Sequence, residues 1–141
     1  MKKFRKLIVF TCLLVSCFLL GGCGTKEPKK TEGKRLEFTV LKESEIPAEL
    51  LKYIDDKKVN EFKFTFYNQD KKDYLYIAVG YGKQPTGGYS IAVEDLYLTE
   101  NSIYIDTSLV GPAKDDVVTQ AITYPYIVVK LEYMDKPVTF I

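Results

Sequence analysis

Few residues in this chain can do chemistry. Among its 141 residues there is no histidine, which removes the commonest general base and metal ligand. Of the three cysteines, Cys12 and Cys17 lie in an apolar N-terminal run, which leaves Cys23 as the one thiol beyond it. Ser90 and Lys83 supply a hydroxyl and an amine, but nothing in their spacing argues for a serine–lysine pair. The acidic pairs Asp55-Asp56 and Asp115-Asp116 lack the spaced Asp/Asn and Gly pattern of a calcium loop and read as solvated carboxylates. "GYGKQPTGG" is glycine-rich, yet no second glycine is followed by Lys and Ser/Thr, and a strand pattern rather than a helix comes next. The residues therefore point to a protein that is not an enzyme and holds no metal or cofactor. One stretch stays open: "QPTGGYS", Gln84–Ser90. Pro85 fixes its own backbone and biases Gln84 toward an extended form, while Gly87-Gly88 admits positive φ. It reads either as a structural turn or as the place where the protein meets something.

The N-terminus places Cys23. Lys2, Lys3, Arg5 and Lys6 precede "LIVFTCLLVSCFLL" (Leu7–Leu20), and no acidic residue occurs before Glu27. A basic start, a short apolar stretch and small residues at the cut describe a secretory signal. The run is shorter than the roughly 18 residues of a spanning helix. Its end, "LGGC", resembles the lipobox of bacterial lipoproteins. That resemblance implies a signal peptide over residues 1–22, cleavage before Cys23, and acyl chains such as palmitate on Cys23 and the new N-terminus. Two or three chains anchor stably where one binds only marginally. The other reading, an ordinary signal with Cys23 left as a free thiol, strands an unpaired thiol in an oxidising compartment. Either way the mature chain forms no internal disulfide, and its stability must come from packing.

Residues 23–34 follow as lipidated cysteine and tether. "GTKEPKKTEGK" is rich in Lys, Glu, Gly and Thr and cannot bury enough surface to fold. From Arg35 on, 12 basic side chains stand against 17 acidic ones, a net of −5. Nucleic-acid binding calls for clustered basic residues, so no nucleic-acid partner is expected. The expected location is the outer face of a bacterial cell membrane.

The elements that must position any site come from residues 35–141, enough for one core. The dominant period is two. Leu36, Phe38 and Val40 alternate in "RLEFTVL", Phe62, Phe64 and Phe66 in "EFKFTFYN", and Leu75, Ile77 and Val79 in "YLYIAVG". Tyr89, Ile91 and Val93 follow in "YSIAV", then Ile103 and Ile105, then Ile127, Val129 and Leu131. Such alternation suits half-buried strands. "NQDKKD" and "TENS" mark hairpins, and a change of register around Glu94-Asp95 marks a bulge. "IPAELLKYIDDKK" sets Leu50, Leu51 and Ile54 at helical spacing, with Pro47 in the first turn. The expected fold is mainly β, an antiparallel sandwich or partly open barrel with one short N-terminal helix.

"GYGKQPTGGYSIAVEDL", with "TYPYIVVKL" some thirty residues on, resembles the PrcB C-terminal domain family over about Tyr74–Tyr133. The resemblance makes Thr86, Gly87, Gly88, Tyr89 and Ser90 the family signature and Tyr124, Pro125 and Tyr126 its second element, both candidates for partner binding. It implies an accessory lipoprotein that associates with and stabilises a surface protease complex, without catalysis of its own. Pairing of the last strand near Tyr89 would gather Tyr81, Tyr89, Tyr124 and Tyr126 at one end of the sheet. Eleven tyrosines and no tryptophan suit a contact surface and strand faces equally. The alternative reading is a cell-wall glycan or small-ligand module whose exposed tyrosines stack on sugar rings.

Overall fold

The period-two runs become strands in two separate sheets. In the computed structural model, which describes residues 33–141, sheet I has the order β1 (Lys34–Arg35), β5 (Ser90–Leu98), β6 (Ile103–Val110), β8 (Val138–Phe140). Sheet II has the order β2 (Thr39–Val40), β7 (Tyr126–Glu132), β4 (Tyr74–Tyr81), β3 (Glu61–Tyr67). Neither closes into a barrel. Cys23, the signal segment and most of the tether lie outside the described residues; Lys34, placed in the tether by composition, pairs with Leu98.

Alternation decides what each sheet buries. Leu75, Ile77 and Val79 of β4 and Ile127, Val129 and Leu131 of β7 meet Leu96, Ile103 and Ile105 of sheet I in the main core. Glu94 is the extra residue where the β5–β6 register shifts between Val93 and Asp95. The bulge keeps Ile91 and Val93 before it, and Leu96 and Leu98 after it, on the same core. Both expected hairpins form, β3–β4 and β5–β6. Asn68 Oδ1 accepts from the backbone N–H groups of Asp70 and Lys71 at 2.9 and 3.2 Å in the first, as an Asx turn requires.

The other face of sheet II is covered by helix α1 (Ala48–Lys57). Leu50 and Ile54, one turn apart, are fully buried against Phe62, Ala78 and Val128, each contributing roughly 2–3 kcal/mol. Phe62 lies flat across Gly80, where a Cβ would come within 2.3 Å of its ring. Glu49 in the first turn and Lys57 in the last suit the helix dipole. Pro47 sits one residue earlier than expected, at the N-cap.

Two expectations change. Residues 35–41 do not form one strand: β1 pairs with β5 in sheet I and β2 with β7 in sheet II. The chain crosses between sheets at Leu36–Phe38, so Leu36 reaches the core while Phe38 and Val40 stay exposed. The sandwich is also not wholly antiparallel, since β8 runs parallel to β6 with Val138 opposite Ile103 and Phe140 opposite Ile105.

Candidate functional site

The two signature elements meet, through a contact the strand pattern does not reveal. β4 leads into Gln84–Tyr89, and the long connection from Gly111 to Pro125 folds back against that stretch. Tyr81 N–H donates to Pro125 O at 3.1 Å, which carries the β4–β7 ladder past the end of the strands. Gln84 and Thr123 then exchange both backbone hydrogen bonds, at 2.8 and 3.1 Å. Gly87 N–H donates to Thr119 O at 2.8 Å, and Thr123 Oγ1 donates to Thr86 O at 2.6 Å. Thr86 Oγ1 turns back to Gly87 O at 3.0 Å. Five hydrogen bonds between Tyr81–Gly87 and Thr119–Pro125 make a clasp that holds the loop to the sheet end.

Gly88 closes the clasp. Its φ of 83° lies in the left-handed region, and a Cβ there would stand 2.7 Å from Val118 Cγ1 and 3.0 Å from Pro112 Cβ. Only glycine meets both demands at low cost. Tyr89 lies half-buried with its ring beside Gly111, and Ser90 opens β5 opposite Val110 with its side chain exposed.

The tyrosines are divided between surfaces, not gathered. β7 pairs with β4 and β2, not with β5, so side-chain direction follows that register. Tyr81 points between the sheets, where its hydroxyl donates to Thr107 O at 2.6 Å and lies 3.0 Å from Thr107 Oγ1. Tyr124, Pro125 and Tyr126 line a shallow groove with Leu41, Glu43 and Ile46 on the helix side. Burial first, then the nearby Glu43 and Asp55 carboxylates, push the Tyr126 hydroxyl above the ordinary tyrosine range. Burial does the same for Tyr76 on that face.

Sequence reasoning named one half of the clasp and missed the other. Pro112, Val118, Thr119 and Thr123 receive the signature, and the available signal was the length of the connection they occupy. This loop carries exposed apolar side chains: Val117 is fully exposed at 102% and Ile122 is 50% exposed, with Val110 at its base also exposed. Among the described residues no three His, Cys, Asp or Glu side chains gather as a metal site, and the clasp is made of backbone groups, hydroxyls and glycines. An arrangement of this kind fixes the loop against the sheet end.

The fold is thus a two-sheet sandwich in which a glycine-containing clasp ties a long loop to one sheet end. Residues 75–132 match the PrcB C-terminal family, within a residue at each end of the Tyr74–Tyr133 stretch over which the sequence resembles it. The match takes in the clasp and β4 to β7, and leaves out α1 and β3. No curated protein and no solved structure matches the chain.

Proposed function

We propose that this chain is a lipid-anchored, non-enzymatic accessory protein on the outer face of a bacterial cell membrane, where it docks on and steadies a protease complex. The observation that supports the protease-complex part of this reading is the PrcB C-terminal match; the anchor and the location rest on the basic start, the apolar run and "LGGC" of the sequence. Cys23 takes the acyl chains, and the polar stretch after it serves as the tether. The signature residues Thr86–Ser90 act through the clasp: they hold out the loop bearing Val117 and Ile122, and that loop meets the partner. Exposed apolar side chains gain free energy when a partner covers them, and a loop pre-ordered by its clasp loses less entropy on docking.

Mild crosslinking in native membranes, followed by purification of the chain, tests the reading. Wild type is expected to take up palmitate label and to bring a protease with it; Cys23→Ser should lose the label and pellet poorly with membranes. Recovery of cell-wall glycan in place of any protein would reject the protease reading in favour of a glycan-binding module.

A further inference from the structure

β3 is the edge of sheet II, bonded on one side to β4, with no strand among the described residues on its other side. An edge of seven residues presents a row of unpaired backbone donors and acceptors that a further strand can take up. Natural edges are often guarded by a lysine. Here Lys63 is turned away, with Nζ 3.5 Å from Ile141 O and 6.0 Å from the centre of the Phe140 ring. Beside this edge an open groove of about 690 Å³ runs between β3 and α1. Its helix wall consists of Glu49, Tyr53 and Lys57, four residues apart on one face. Tyr53 is 49% exposed, and its ring stands 6.4 Å from Phe66.

Both walls of this groove are self-complementary about a two-fold axis. An antiparallel second copy of β3 centred on Phe64 overlaps the full strand. It sets Phe62 opposite Phe66 of the second copy, Lys63 opposite its Thr65 and Glu61 opposite its Tyr67, with no like charges directly opposed. The helix stripe has its own centre at Tyr53, and the same operation sets Glu49 opposite Lys57 of the second copy. A strand of unrelated sequence would satisfy the backbone but has no reason to match that charge order.

We propose that the β3 edge and the Glu49–Tyr53–Lys57 stripe form an isologous interface through which two copies of this chain join sheet II into one continuous eight-stranded sheet. The occupant is a second copy, and the axis passes near Phe64 and Tyr53.

Sedimentation velocity of the full chain in mild detergent tests this, with Glu49→Lys, Lys57→Glu and the double exchange. The three variants change only exposed helix positions, and circular dichroism checks that each folds. Wild type should dimerise. Each single reversal turns two symmetric attractions into repulsions and should weaken dimerisation by about tenfold or more; the double exchange should restore it. A monomeric wild type overturns the proposal and leaves the edge to a strand of another protein. So does association indifferent to the single reversals, or a double exchange that fails to restore it.

Discussion

Gly88→Ala should damage this domain far more than Gly87→Ala one residue away, although the two changes are chemically identical. Gly88 has φ 83°, where an alanine costs about 1–2 kcal/mol in backbone conformation. Its new methyl would lie 2.7 Å from Val118 Cγ1 and 3.0 Å from Pro112 Cβ, and crowding of that kind costs about 1–3 kcal/mol. Because Gly88 is exposed and the loop can yield, the sum should be roughly 2–4 kcal/mol, a fall in Tm of roughly 10–20 °C. At Gly87 the φ is not positive and the nearest atoms, of Thr119, stand 3.4 Å away. There alanine should change stability by less than about 1 kcal/mol in either direction. Urea unfolding followed by circular dichroism measures both, and an unchanged m-value keeps the comparison valid. Adding Val118→Ala to Gly88→Ala should recover the Val118 share of the crowding and leave the Pro112 contact and the conformational part. A Gly88→Ala protein as stable as wild type, or one no worse than Gly87→Ala, would refute the clasp.

Two further predictions concern the helix face. Leu50→Ala, which empties a fully buried position under α1, should cost about 2–5 kcal/mol in urea unfolding. Tyr126 has a folded-state pKa raised by burial, so its contribution is complete below the tyrosine value of an unfolded chain and is lost as pH rises through the folded value. Stability should therefore fall above about pH 10, and Tyr126→Phe should flatten that decline in unfolding measured across alkaline pH.

How much of this was legible in the sequence depended on whether the cause was local. The hairpins at Asn68–Asp73 and Thr99–Ser102 and the bulge at Glu94 follow from turn chemistry and from a parity change a few residues long. The helix followed from the spacing of Leu50 and Ile54. The split at Leu36–Phe38 did not show, because an alternating run looks the same whether the strand stays in one sheet or changes sheets midway. β8 is three residues long, too short to carry a period. The clasp joins Thr86 to Thr123 across 37 positions, and no local pattern encodes that distance. The family resemblance flagged Thr86 and the Tyr124–Tyr126 element beside Thr123, but not Pro112, Val118 or Thr119, which complete the clasp. The direction of Tyr81, Tyr89, Tyr124 and Tyr126 was out of reach, since it depends on β7 pairing with β4.

The central claim is that the clasp holds out a loop through which an accessory protein engages its protease partner. Its most direct test is a Val117→Asp/Ile122→Asp variant, compared with wild type after mild crosslinking in native membranes. Both substituted side chains are exposed and lie outside the core, so the unfolding free energy should stay within about 0.5 kcal/mol of wild type. The account predicts a protease recovered with wild type and absent from the variant. The same partners recovered with both, at equal stability, would contradict it.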